Sequence, residues 1–369
     1  MTVYNIEVFD SDMILIHHEA TSEYEYDFDY LTPVQSKIEL DFHDSSARFI
    51  RIVSDDRSID LMGVIVSLSD GELMEVGFKP FTSVLDVNIM FDTNDQGTGT
   101  LENIIKKYIK STFVENSDAL QNLPIGTIMP TSSTTTWGMN LKSDKEGQHT
   151  CKINLYDVLI ANSFSNYGIV VRAIPNPTLN RVIDPETGKM GGTINISIGK
   201  TLVASRTIEI DHDSIVIKKF TVRDESAKVN KLIIYNSADY GWRPIIYYLH
   251  PDGTYGTTDT DRIFPVVPDV EAVDAINTDQ GQDHAAKAQE AAVSKFGNMK
   301  FDNLIEIEVA PNDGVVKPLE LKIGDFVKIV HNGIAYDSIV SGVKYGDLIG
   351  ITFGMIRIDA TKRFRRLLR

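Results

Sequence analysis

The sequence predicts an α+β protein that is mostly β, built from two antiparallel β-barrels and two inserted mixed α/β domains. Three observations predict it. Short alternating runs fill residues 1 to about 95, the same alternation returns after Thr207, and helical periodicity is confined to the stretches between and after them. A chain of 369 residues is also long enough for more than one core.

The first barrel is placed at 1–95 on runs such as Tyr4-Asn-Ile-Glu-Val-Phe, Met13-Ile-Leu-Ile-His, Lys37-Ile-Glu-Leu-Asp-Phe, Arg48-Phe-Ile-Arg-Ile-Val and Gly63-Val-Ile-Val-Ser-Leu. An α+β domain is expected over 96–205. It opens with a helix capped by Thr100, whose Leu101, Ile104, Ile105, Tyr108 and Ile109 fall on one face. Asn154 caps a second helix, with Asp157 favouring its positive end, and the strands Ile169-Val-Val-Arg-Ala-Ile and Thr193-Ile-Asn-Ile-Ser-Ile follow. The second barrel is assigned to 206–255 plus 318–369, with Asn332-Gly333 marking a tight hairpin. A small α/β insert at 256–317 holds an Ala-rich helix from about Asp283 to Phe296, stopped by Gly297, and the strand Leu304-Ile-Glu-Ile-Glu-Val.

Composition excludes several classes. The longest apolar runs are strand-sized, so no membrane span is expected, and the N-terminus lacks the basic start and apolar core of an export signal. Cys151 is the sole cysteine, which rules out an intrachain disulfide and a Cys-rich zinc site. A net charge of -16 disfavours binding to phosphate backbones, although it suits a wall past which DNA slides.

No motif reads as catalytic or cofactor-binding. Gly199-Lys-Thr ends like a phosphate loop but has Ile194 where the motif needs glycine, so it reads as a turn after a strand. Asp92-Thr-Asn-Asp-Gln-Gly mimics the start of a calcium loop, yet its fifth position is Gln96 and its twelfth is Asn103. His17 and His18 point to opposite faces of a strand, and neither aspartate in Asp211-His-Asp shares the face of His212. Cys151 lacks any protease context and reads as a buried or incidental thiol. Trp137 and Trp242 suit core or interface packing better than a sugar platform. Lys362, Arg363, Arg365, Arg366 and Arg369 interleave with Phe364, Leu367 and Leu368. They read either as a solvated tail or as a peg for an acidic neighbouring subunit.

The stretch Leu321-Lys-Ile-Gly-Asp-Phe-Val-Lys-Ile-Val-His-Asn-Gly-Ile-Ala-Tyr-Asp-Ser-Ile-Val-Ser-Gly resembles the closing barrel of siphophage tail hub proteins, as does Ile351-Thr-Phe-Gly-Met-Ile-Arg-Ile-Asp-Ala-Thr-Lys-Arg-Phe. Lys228-Val-Asn-Lys-Leu-Ile-Ile-Tyr-Asn and the N-terminal Val3-Tyr-Asn-Ile-Glu-Val-Phe-Asp fit the same pattern, so the resemblance spans nearly the whole chain. The chain resembles baseplate hubs of lactococcal-type siphophages, which are similar in fold to the central hub of contractile-phage baseplates and to the N-terminal part of tail-associated lysins.

This resemblance implies a virion protein of the tail tip, made in the host cytoplasm. It implies a homotrimer in which two barrel tube domains per chain imitate sixfold symmetry beneath a hexameric distal tail protein. The tape-measure protein and the receptor-binding proteins of the baseplate are its further implied partners, and genome DNA passes through without specific binding. The sequence ends at Arg369, soon after the barrel, so no lytic domain, enzyme activity or cofactor is expected. The competing expectation is a tail-borne or secreted protein that binds or hydrolyses carbohydrate.

Overall fold

The structure is a computed structural model. It describes residues 4–22, 25–55, 57–96, 99–118, 122–131, 135, 141, 149–176, 182–183, 190–200, 206–222, 229–237, 243–250, 255–259, 266–273, 284–296 and 303–355. The alternating N-terminal runs form β1 (Tyr4–Phe9), β2 (Leu15–Thr21), β3 (Tyr26–Asp29), β4 (Ser36–Leu40), β5 (Phe49–Ser54), β6 (Asp60–Ser69) and β7 (Met74–Pro80). Alternation becomes burial: in β4 Ser36, Ile38 and Leu40 are buried while Lys37 and Glu39 are exposed.

Next come β8 (Asn88–Asp92), α1 (Leu101–Phe113), β9 (Ile125–Pro130), β10 (Thr150–Asn154), α2 (Asn162–Tyr167), β11 (Ile169–Asn176), β12 (Val182–Ile183), β13 (Met190–Gly191) and β14 (Thr193–Lys200). The expected apolar face of α1 is buried. Thr100 does not cap it as expected: its hydroxyl accepts from the Asn103 side chain at 2.9 Å, and the Leu101 N–H donates to Thr135 O instead. Asn154 does cap, accepting from the Asp157 N–H at 2.9 Å, but the residues that follow, Leu155–Ala161, form a π-helical segment before α2.

The remaining elements are β15 (Arg206–Glu209), β16 (Val216–Val222), β17 (Lys231–Asn236), β18 (Ile245–Leu249), β19 (Tyr255–Gly256), β20 (Pro268–Val273), α3 (His284–Phe296), β21 (Asn303–Val309), β22 (Phe326–His331), β23 (Ile334–Tyr345) and β24 (Ile349–Gly354). Asn332 and Gly333 take positive φ values of 51° and 76° and turn β22 into β23, as their pairing predicts.

Two large sheets dominate, ordered β2-β1-β5-β6-β7-β4 and β15-β22-β23-β24-β21-β16, with β3 added to β23 of the second. Counted in chain order within each sheet and leaving β3 aside, the first, fourth, fifth, sixth and third strands are successive neighbours in both. The second strand differs: β2 lies beside β1, whereas β16 lies beside β21. The leading pair differs too, because β1 runs antiparallel to β5 and β15 runs parallel to β22. In place of the expected barrels, two sheets are seen, each with one open seam in its backbone ladder among the described residues.

Sheet membership departs from the expected division at five strands: β3 joins the second large sheet, β8 pairs with β10, and β17, β18 and β21 change places. Strands β17 and β18 pair with β20 and β19 in a separate sheet, on which α3 packs through Ala288, Ala292 and Phe296 against Leu232, Ile234 and Leu249. Strand β21, expected in that insert, lies between β24 and β16 of the second large sheet. The physical reason is that period-two alternation says which face of a strand is buried and nothing about which strand it pairs with. The stop at Gly297 lies outside the described residues.

Gly354 ends β24 at φ 86°, and a Cβ there would stand 1.9 Å from the Asn303 carbonyl oxygen, whereas nothing lies within 4 Å of a Cβ at Gly314. Gly354→Ala is therefore expected to cost roughly 3 kcal/mol or more, from left-handed strain plus a backbone clash, and Gly314→Ala to change stability by less than about 0.5 kcal/mol. Urea denaturation midpoints of the two variants check this.

Candidate assembly surfaces

The segment from Tyr26 to Thr32 ties the units together. Its backbone belongs to the second sheet, with Tyr26 opposite Tyr345, Phe28 opposite Val343 and the Tyr30 N–H donating to Ser341 O at 3.0 Å. Its side chains belong elsewhere. Tyr26 is buried in the first sheet's core and stacks on Phe78 at 5.3 Å. Tyr30 packs on Phe164 at 4.6 Å, and its hydroxyl accepts from the Val171 N–H at 2.8 Å. Tyr156 donates to the Tyr30 carbonyl, and the Asp29 carboxylate closes the end of the strap by accepting from the Leu31 N–H, the Thr32 N–H and the Thr32 hydroxyl. Burial pushes the Tyr26 and Tyr30 phenols far above their ordinary pKa.

Beside the strap a groove of about 340 Å³ lies between β6, β11, β23 and the segment 319–323. Its walls include Phe28, Leu61, Phe81, Leu319, Leu321 and Val343. Arg172 reaches across it to donate to Ile323 O at 2.6 Å. Burial draws the Arg172 guanidinium pKa down against the pull of Asp325, and burial pushes the Asp325 carboxyl up.

The seams of the two sheets are bridged by side chains, and histidines sit at both. At the first, the His17 ring stacks on Phe42 at 4.9 Å and Glu19 accepts both from the Asp41 N–H at 3.0 Å and from His17 at 3.2 Å. At the second, the His331 ring packs on Phe220 of β16 at 4.5 Å while its Nδ1 pairs with Asp211, which also accepts from the Asn332 N–H at 2.6 Å. His212 Nδ1 meets the Ser214 hydroxyl at 2.9 Å, and that hydroxyl donates to Asp313 at 2.6 Å. The serine here stands between the histidine and the carboxylate, so the carboxylate does not orient the imidazole and the trio lacks triad geometry. Reasoning from sequence missed Phe42, Phe220, Asp211 as the partner of His331, and Asp313 because each lies far along the chain from the group it meets.

The other residues singled out earlier have structural uses. Gly199 and Lys200 lie inside β14, paired with Val170 and Ile169, and not in a turn. Asp92 accepts from the Asn94 N–H, and Asp95 takes Lys107 at 2.7 Å and the Tyr108 hydroxyl at 2.6 Å. Cys151 is buried in β10. Among the described residues, no three His, Cys, Asp or Glu side chains gather as a metal site. Trp137, Trp242, Lys362, Arg363, Arg365, Arg366 and Arg369 lie outside the described residues.

No protein-family model and no curated protein matches the sequence. Solved structures do match. A tail protein from Neisseria meningitidis MC58 superposes with a TM-score of 0.51 at 12% identity, over 96% of this chain and 96% of that one. The chain shares that tail protein's fold. The 43 kDa tail protein of prophage MuSo2 from Shewanella oneidensis aligns at a TM-score of 0.49 and 12% identity, over 96% of this chain and 98% of that one. A chain of the phage P2 baseplate in its activated conformation with Ca aligns at 0.47 and 11% identity, over 96% and 98%.

Two predictions come from this geometry. Tyr30→Phe strands the buried Val171 N–H and is expected to cost about 1–3 kcal/mol, whereas the Tyr26 hydroxyl is buried with no hydrogen-bond partner among the described residues, so Tyr26→Phe is expected to be neutral or stabilising. Guanidinium denaturation of both variants checks the contrast. Burial raises the Asp313 pKa, but hydrogen bonds from Ser214, Val316 N–H and Val315 N–H outweigh it and hold the carboxyl below its ordinary range. A depressed folded pKa gives stability that is present above the unfolded value near 4 and is lost as pH falls through the folded value. Asp313→Asn is therefore expected to cost about 1 kcal/mol at pH 7, and the gap from the parent should close as pH drops below about 4 in denaturation midpoints.

Proposed function

We propose that the protein is a structural subunit of a phage tail tip or baseplate, a homotrimeric hub that caps the tail tube and gates the passage of DNA. The observation that supports it most is the fold shared along nearly the whole chain with the Neisseria meningitidis tail protein. The common neighbour order of five strands in the two large sheets supports it further, because two similar sheets per chain let three chains present six similar units to a hexameric distal tail protein. Side strands such as β2 and β4 have one unpaired edge each within their sheet, and assembly is the usual way to cover such edges.

In this reading the tape-measure protein meets the hub from above and the baseplate's receptor-binding proteins attach around it. The net charge of -16 lets genome DNA pass without adhering. The role is mechanical and not enzymatic.

Light scattering on the purified protein is expected to give the mass of three chains, and addition of the distal tail protein a complex of three with six. A monomer under both conditions would overturn the hub reading. Release of soluble fragments from peptidoglycan by the pure protein would overturn its non-enzymatic part.

A further inference from the structure

The groove beside the strap is apolar inside and cationic at its mouth, on a chain whose net charge is -16. Arg57 and Lys322 line that mouth. The one nearby acid on β6, Asp60, is already held by Arg51 through two contacts of 2.8 Å. Arg57 sits at the tip of the β5–β6 hairpin at φ 57°, fixed by its N–H to Ser54 O at 2.8 Å, and no side-chain partner for it occurs among the described residues. The surface therefore suits a segment that carries an apolar side chain next to a carboxylate.

The chain displays such a segment on itself. The β6–β7 hairpin tip, Asp70-Gly71-Glu72-Leu73, is exposed throughout, with Leu73 43% accessible. Asp70 is steadied by His43 at 2.8 Å, which leaves Glu72 and Leu73 as the projecting pair. Groove and tip sit at opposite ends of β6: Asp60, Leu61 and Met62 line the groove, and Ser69 leads into the tip. Ten residues of strand separate the two by roughly 30 Å, so a chain cannot fill its own groove. Two other acidic tips carry an exposed leucine. Asp347-Leu348 follows β23, whose Val343 and Tyr345 line the groove, and so lies at the groove's own end of the molecule. In the β1–β2 tip Asp10 is engaged by the Asp12 and Ile14 N–H groups, while Leu15 stands three residues from Asp12, inside β2.

We propose that the groove seats the Glu72–Leu73 tip of a second copy of the chain, Leu73 entering the apolar floor and Glu72 meeting Arg57 and Lys322. The contact is head-to-tail, the kind that closes into a ring when the rotation between copies permits. It rests on the oligomeric reading above and names the surface that would build the oligomer.

Cysteine pairing tests it directly, because Cys151 is buried and does not interfere. Under mild oxidation Arg57→Cys/Leu73→Cys is expected to give a covalent species with as many chains as the native oligomer. A mixture of Arg57→Cys chains with Leu73→Cys chains should give covalent dimers, and each single variant alone should give none. Glu72→Arg is expected to raise the dissociation constant of the oligomer about tenfold, with Arg57→Glu added to it restoring assembly. A native-sized oligomer that forms without these cross-links would overturn the proposed contact and leave the hub reading standing. A monomer at every concentration would overturn both.

Discussion

A seven-residue strap between two sheets holds this molecule in one piece. From Tyr26 to Tyr30 the backbone pairs with β23, while Tyr26 fills the first sheet's core and Tyr30 anchors the middle elements through Val171 and Phe164. Backbone groups and side chains of a strand point in perpendicular directions, so one short strand can serve two cores at once. The result is a single continuous hydrophobic cluster running from Tyr4 to Met355, with only the α3 insert keeping a core of its own. Weakening the strap would remove one of the links between these units and leave contacts such as that of Arg172 with Ile323 O to hold them.

Charge is managed in the same economical way. Carboxylates are used to finish backbone ends, as Asp29 does for the strap and Asp313 for the loop before Pro318, and to bridge strands, as Glu7 and Asp60 do around Arg51. Such internal use also occupies the carboxylates of the run that mimics the start of a calcium loop. Asp92 and Asp95 close a turn against α1, and the seam histidines pack on phenylalanines. What remains for a partner is the contrast between an acidic exterior and the cationic mouth of one apolar groove.

Local features were legible from the residues alone. The burial alternation of β1 and β4, the apolar face of α1, the Asn154 cap and the Asn332-Gly333 hairpin all stand where their patterns put them. Thr100 shows the limit even locally, since its hydroxyl satisfies Asn103 and not the helix end. The π-helical run after Asn154 was not legible either, because the same buried side chains suit an α-helix equally well. The candidate surface was less legible still. The basic cluster from Lys362 to Arg369 is visible as a charge run, whereas Arg57 and Lys322 are isolated cations that become a pair only when the 264 intervening positions fold between them.

By itself the sequence determined which residues alternate, which cap and turn, and that the chain would be mostly β, since those properties depend on neighbours a few positions apart. Only the tertiary structure decided that β21 joins the large sheet while β17 and β18 leave it, that β3 crosses to β23, and that the groove lies between β6 and β23. Those choices depend on hydrogen bonds between segments tens to hundreds of residues apart, and every exposed ladder edge offers the same donors and acceptors. Partner selection is therefore settled by the packing of the whole and not by any one strand's pattern.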